Sequence, residues 1–420
     1  MEEQYSNGPE GVGAMPTPNG TKNEKKPKGE FGFLIGLLVG FVVTFLLCVV
    51  VVGGVLVYVL LVNGKVINYS STQKLKLLDK TIHSYYLNED EISDEDLENG
   101  MYSGMMSALG DPYSVYYTKE EFQEMMESTA GTFCGVGLYL SQDAETGIVK
   151  VSRPISGTPG EAAGILAEDI LIKVDGEDIA GQTLDVVVSK VKGEEGTHVL
   201  LTFMRGEEEL EFDVVRAKIQ VQTVDHEMKD EANKIGYIRI AEFDDVTYSQ
   251  FMEALEDLKS QGMKSLVLDL RSNPGGNVST VCQIADELLP EGLIVYTEDK
   301  NRNREDMKSD ANQAYTGPMV VLVDGNSASA AEILTGAIKD YGLGTIVGTT
   351  TFGKGIVQRI IPLGDGTAVK ITVEDYYTPK GNNIHKIGIE PDVEVEFDSD
   401  LYLKDKTDNQ LEKGLEILRK

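Results

Sequence analysis

At 420 residues the chain has room for two or three folded units. Its 69 acidic side chains against 38 Lys and Arg give a formal net charge of −31, which lacks the basic footprint that nucleic-acid binding requires. Three cysteines, Cys48, Cys134 and Cys282, make no disulfide framework, and no Cys/His spacing resembles a zinc site, so free thiols and no metal are expected.

Residues 1–30 are rich in Gly, Pro, Asn, Lys and Glu without apolar periodicity, which predicts a disordered tail. Residues 31–62 are almost wholly apolar and uncharged, longer than the ~20 residues that cross a bilayer. Lys22, Lys25, Lys26 and Lys28 precede them, so the positive-inside rule predicts a cytoplasmic N-terminal tail and places everything after Asn63 outside. A cleaved signal peptide is the competing reading. The run exceeds a signal's apolar core and no small-x-small cleavage site follows, which favours an uncleaved single-pass anchor in the cell membrane.

Residues 66–130 read as helical, with Leu75, Leu77, Leu78, Ile82, Tyr85 and Tyr86 at roughly helical spacing and a second helix over Ser93–Leu109. Gly110-Asp111-Pro112-Tyr113-Ser114 breaks the pattern as a turn, with a packing role expected. Residues 131–217 form a further unit. It opens on Gly135-Val136-Gly137-Leu138, continues through Pro159–Ile165 and Asp169–Gly176, and carries Leu184, Val187, Val188 and Val191 on one helix face. Leu210, Phe212 and Val214 then alternate against acidic neighbours as a strand.

From Lys218 to about residue 400 strands and helices alternate. Ile235–Ile240, Ser265–Leu270, Leu293–Tyr296, Thr345–Thr350, Ile356–Ile361 and Ala368–Tyr377 read as strands, and Thr247–Leu258 and Val278–Leu289 as helices. Glu298–Ser309 reads as a charged, solvated loop, and residues 401–420 as a short frayed helix. Asn273-Pro274-Gly275-Gly276 is a strand-to-helix turn whose glycines let backbone amides approach a ligand. Val320–Val323, the turn Asp324–Ser329 and the apolar Ile333, Leu334, Ala337 and Ile338 predict strand, tight turn and helix, with serines at the helix start where free amides stabilise anionic oxygen. None of the four histidines, His83, His198, His226 and His385, has a recognisable triad partner. Lys354, between Gly353 and Gly355, is the alternative base, since a lysine in a dry pocket loses part of its preference for charge. Gln358 lies on the same face as Lys354. Fully extended chain would separate them by roughly 13 Å, so a bond between them requires helix or a bend.

The run Ser327-Ala328-Ser329-Ala330-Ala331-Glu332-Ile333, followed by Phe352-Gly353-Lys354-Gly355-Ile356-Val357-Gln358, resembles the catalytic region of the carboxyl-terminal processing, or tail-specific, serine proteases. Gly110–Ser114, Asn273–Gly276 and the closing Tyr376–Asp392 also resemble that family. The chain departs from it at Ala331, where many members carry serine, and at Asn382-Asn383, where many carry Arg-Ser. The resemblance implies Ser329, not Ser327, as nucleophile, Lys354 as general base, Gln358 as the residue holding the lysine, and the amides of Gly275 and Ala330 as the oxyanion site. His385 is read as structural. Residues 131–217 resemble a PDZ domain of permuted bacterial type, which makes Gly135, Val136, Gly137 and Leu138 the loop that takes a peptide's C-terminal carboxylate.

The implied architecture is a multidomain α/β (α+β) chain. It comprises a tail (1–30), a transmembrane helix (31–62), a helical region (66–130), a PDZ domain (131–217), an αβ protease core of the ClpP/crotonase type (218–400) and a C-terminal helical tail (401–420). The implied function is a membrane-anchored, extracytoplasmic serine endopeptidase without cofactor. It cleaves proteins near C-termini captured by the PDZ unit, with self-association through the helical region as a further expectation. Two rivals remain at this point: a non-catalytic PDZ scaffold binding protein C-termini at the membrane, and an acyl-transfer enzyme on a similar core.

Overall fold

The computed structural model describes residues 29–62 and 65–420. The expected tail and the four lysines before the apolar run lie outside the described residues. The chain divides into two compact units, up to Ser93 and from Asp94 onward. In the first, helix Gly29–Val62 contains a 24-residue apolar stretch, Gly32–Val55, whose most apolar 18-residue window has mean hydropathy 3.1. Helix Tyr69–Tyr85 follows, capped by the Asn68 side chain, which accepts from the Ser70 and Ser71 amides.

In the second unit, helix Asp94–Ser107 leads into the Gly110–Ser114 turn and strand Val115–Tyr117. The core sheet runs in the order Val224–Asp230, Ile235–Ile240, Ser265–Asp269, Met319–Val323, Gly344–Gly348, Val393–Glu394. Every pairing after the first is parallel. Parallel strands covered on both faces favour apolar side chains along their length, as in Leu266-Val267-Leu268 and Met319–Val323, and both strands are buried throughout, including the polar Ser265 and Asp269. Helices Thr247–Ser260, Val278–Leu288 and Ala330–Tyr341 pack on one face through Phe251, Leu255, Ile284, Leu334 and their neighbours.

Helix Asn409–Leu418 covers the other face, contrary to the frayed tail expected. Leu411 and Leu415 are buried against Val320, Leu322 and Val347, each contributing about 1.5–3 kcal/mol. The Asp408 carboxylate accepts the helix's Leu411 amide and pairs with Arg271 at 2.7 Å. That is enough to hold a ten-residue helix that would not persist alone.

A second, antiparallel sheet joins Val115–Tyr117, Ala368–Tyr377, Gly292–Asp299 and Arg304–Ser309, with Ile356–Pro362 also on Ala368–Tyr377. The charged stretch read as a loop is thus largely a hairpin, Gly292–Asp299 with Arg304–Ser309. Its charges sit on a solvated sheet face, and Arg304 lies 3.7 Å above the ring of Tyr296, itself stacked on Tyr377.

Between these parts, strands Leu138–Gln142, Val149–Pro154, Ile170–Val174, His198–Arg205 and Glu208–Val215 form a separate sheet around their own core of Val151, Ile165, Leu201 and Phe203. Leu138–Gln142 is its open edge, and helix Leu184–Val191 packs beside it.

Candidate active site

Strand Met319–Val323 ends in a turn that brings both serines of the Ser-Ala-Ser run to the start of helix Ala330–Tyr341. Their surroundings separate them. The Ser327 hydroxyl is fully buried, donates to the Leu270 carbonyl at 2.7 Å and accepts the Asp324 amide at 2.9 Å, so it is a structural group. Ser329 caps the helix at φ 54°, ψ −113°, a backbone conformation uncommon for a non-glycine residue. It lines a cavity of ≈ 520 Å³ together with Gly275, Gly276, Ile333, Lys354, Gln358 and Tyr376.

The Asn273–Gly276 turn approaches Ser329 from the neighbouring strand. Gly275 has φ 106°, and a Cβ there would lie 2.7 Å from the Ser329 Cβ and 3.0 Å from the Ala330 nitrogen, so no other residue fits without displacing Ser329. Its amide donates to the Asn273 Oδ1 at 2.8 Å. In this structure that N–H satisfies the side chain that shapes the turn. Ala330 is the first residue of the helix, where amides have no intrahelical partner.

Lys354 reaches the same cavity from the loop preceding strand Ile356–Pro362. Its Nζ lies 4.6 Å above the ring of Tyr113, in the Gly110–Ser114 turn. Burial first, and then the charge of Lys370, pull its pKa below the ordinary 10.5, while Asp111 and Glu332 act in the opposite direction. In this structure the Gln358 side chain is engaged with a neighbouring strand. The chain enters extended strand at Ile356, and the Gln358 side-chain amide donates across to Thr372 Oγ1 at 3.2 Å. The Thr372 hydroxyl in turn donates to Asp111 at 2.6 Å, and Ser114 donates to the same carboxylate at 2.5 Å. Burial opposes ionisation of Asp111, but the bonds from Ser114, Thr372 and the Tyr113 amide outweigh it and hold its carboxyl below the usual range. The turn expected to serve packing alone thus reaches the lysine.

Sequence reasoning also missed Glu332 and Tyr376. Glu332 is wholly buried, and its Oε2 accepts the amides of Ser329 (2.9 Å) and Lys354 (2.8 Å). Its Oε1 accepts the Thr351 hydroxyl (2.5 Å) and the Gly353 amide (2.7 Å). The signal was present as Ser329-x-x-Glu332 ahead of an apolar run, the capping-box pattern. The Tyr376 hydroxyl donates to the Ser329 carbonyl at 2.9 Å, and its amide donates to the Gly355 carbonyl. No histidine lines the cavity. His226 and His198 pair with Asp257 and Asp213, and His385 packs behind Gly355.

A model of peptidase family S41 matches residues 234–395, and a PDZ-domain model matches residues 150–205. The carboxy-terminal-processing protease of Bartonella bacilliformis is 39% identical over 312 residues, covering 72% of this chain and 70% of that protein. The chain belongs to peptidase family S41. A probable CtpA-like serine protease of Staphylococcus aureus is 36% identical over 343 residues, covering 80% of this chain and 68% of its own. Among solved structures, the photosystem II D1 C-terminal processing protease shares 31% identity over 77% of this chain and 86% of its own, at a TM-score of 0.46. This S41 peptidase is accordingly a serine protease of the carboxy-terminal-processing type with a PDZ domain, which removes the acyl-transfer reading.

The PDZ loop residues Gly135, Val136, Gly137 and Leu138 line a separate groove of ≈ 250 Å³ with Phe133, Ile155, Val188 and Lys192. Gly137 has φ 80°, and a Cβ there would meet the Thr158 hydroxyl at 2.2 Å, so the loop needs glycine to close on the Thr158 turn. The groove runs beside the open edge strand Leu138–Gln142.

In the lining of the active-site cavity the Asp244 carboxyl is pushed up to about 7, first by burial and then by Glu242 and Asp245. Because the folded state holds this proton above the ordinary 3.8, stability falls as pH rises between those two values. Asp244→Asn is expected to stabilise the chain by about 1–2 kcal/mol at pH 8, after discounting for solvent screening. It should leave stability unchanged at acid pH, where the native aspartate is already protonated. Thermal melts at both pH values check this.

Proposed function

We propose that the chain is a Ser/Lys endopeptidase that cleaves proteins near C-termini bound by its PDZ domain. The Ser329 hydroxyl attacks the scissile carbonyl while the neutral Lys354 amine takes its proton. The tetrahedral oxyanion is held by the Ala330 amide at the helix N-terminus, and the Gly276 amide is the second candidate donor. Lys354 then returns the proton to the leaving amine, and water, deprotonated by the same lysine, releases the acyl-enzyme. The observation that carries this reading is that Ser329 and Lys354, the latter shifted toward its neutral form, line one cavity without a histidine.

The tail adds as a strand along Leu138–Gln142, its carboxylate at Gly135–Leu138 and its apolar side chains against Val188 and Ile155. Helix Gly32–Val55 serves as an uncleaved single-pass anchor, with the catalytic unit outside the cytoplasmic membrane.

The test uses the full-length chain in detergent with a disordered protein ending in an apolar tail, cleavage being mapped by mass spectrometry. Cuts near the substrate C-terminus that vanish in both Ser329→Ala and Lys354→Ala support the reading. Persistence in either sinks it. Val188→Glu is expected to weaken tail binding at least about tenfold while leaving hydrolysis of a short untailed peptide within twofold. Equal losses on both substrates would contradict the role given to the groove.

A further inference from the structure

Glu332 does more than cap a helix. A capping box needs one oxygen on the N-cap amide, whereas this carboxylate engages four donors on two chain segments far apart in sequence. Its Oε2 accepts from the nucleophile residue and from the lysine residue at once, placing the two backbones within two hydrogen-bond lengths of each other. Its Oε1 holds Thr351 and Gly353, the residues leading into Lys354. All four donors are uncharged, so this wholly buried anion is stabilised by directed hydrogen bonds that hold only while both segments are in place. Leaving any donor unmet in this interior carries a desolvation cost, which makes the arrangement close to all-or-none.

We propose that Glu332 is the positioning residue that sets the Gly353–Lys354 loop against Ser329, so that nucleophile and base move as one body. The proposal rests on the Ser329/Lys354 reading. It assigns Glu332 no contact with substrate. Its effect is on the distance and approach of the Lys354 amine, where an error of about 1 Å costs about 10²-fold in rate.

The experiment uses the full-length chain in detergent and a short peptide that it cleaves, with Glu332→Gln, Glu332→Asp and Lys354→Met beside the native protein. In Glu332→Gln an amide NH₂ faces donors, so kcat is expected to fall about 10²-fold or more with KM within about threefold. The acid limb of kcat/KM should also move to lower pH, because one negative charge facing Lys354 is lost while Lys370, Asp111 and the ring of Tyr113 remain. Glu332→Asp keeps the charge but not the reach, so its kcat should fall at least about tenfold with the limb unmoved.

A folded Glu332→Gln with kcat within about threefold of native, or with reduced kcat and an unmoved limb, overturns the proposal. Should the variants not fold, hydrogen exchange of the native chain decides. Peptides covering 327–331 and 352–356 are expected to open at one shared rate, and independent opening overturns the proposal. Lys354→Met separates the two levels. If it still cleaves, the Ser/Lys reading fails; if it is inactive while Glu332→Gln is unimpaired, only the role of Glu332 fails.

Discussion

Ser329→Ala is expected to lower cleavage of a tailed protein by about 10⁶-fold while leaving tail binding and the melting temperature unchanged. The hydroxyl is the only group at the helix start able to form the acyl bond, since Ser327 is buried and bonded to the Leu270 carbonyl and the Asp324 amide. Removing the Ser329 Oγ leaves every backbone bond of the turn intact, including those from its amide to Glu332 and from Tyr376 to its carbonyl. Ser327→Ala should behave in the opposite way. It leaves the Asp324 amide short of an acceptor in the interior, and so costs about 1–3 kcal/mol of stability with a smaller effect on chemistry. Cleavage assays and melts on the pair check both halves.

Lys354→Met is expected to lower kcat/KM by about 10²–10⁴-fold with little change in KM, the usual range for losing a positioned general base. Methionine keeps the length and apolar contact of the stem, so the cavity lining and the packing on Tyr113 persist. The native activity should rise with pH as the amine is deprotonated, with a midpoint below 10.5 because burial and Lys370 both disfavour the ammonium. Lys370→Met removes the second of these influences, so its midpoint should move up and its activity at neutral pH should fall.

Much of the architecture was legible in the sequence because it follows from local periodicity. The apolar runs Leu266-Val267-Leu268 and Met319–Val323 declared strands covered on both faces, and Leu184, Val187, Val188 and Val191 declared a helix face. The choice of Ser329 over Ser327 rests on resemblance, and no local pattern announces that Ser327 is buried while Ser329 lines the cavity. What stayed hidden depends on contacts between distant segments. Asp111 meets Thr372 and Tyr113 meets Lys354 only after strand Val115–Tyr117 pairs with Ala368–Tyr377, and no local pattern marks that pairing. The contact of Gln358 with Thr372 was equally hidden, because it depends on the pairing of Ile356–Pro362 with Ala368–Tyr377. The C-terminal helix looked frayed because Leu411 and Leu415 gain their burial from a sheet face built more than 60 residues earlier.

The central claim is that a neutral amine at Lys354 activates Ser329, and the pH dependence of Ser329 modification by a fluorophosphonate tests it most directly. In the full-length chain the modification rate is expected to rise along a single limb with a midpoint below 10.5. That limb should be absent in Lys354→Met, where the residual rate is pH-independent. The same limb in Lys354→Met, or a limb that disappears only when a histidine is replaced, would contradict the account.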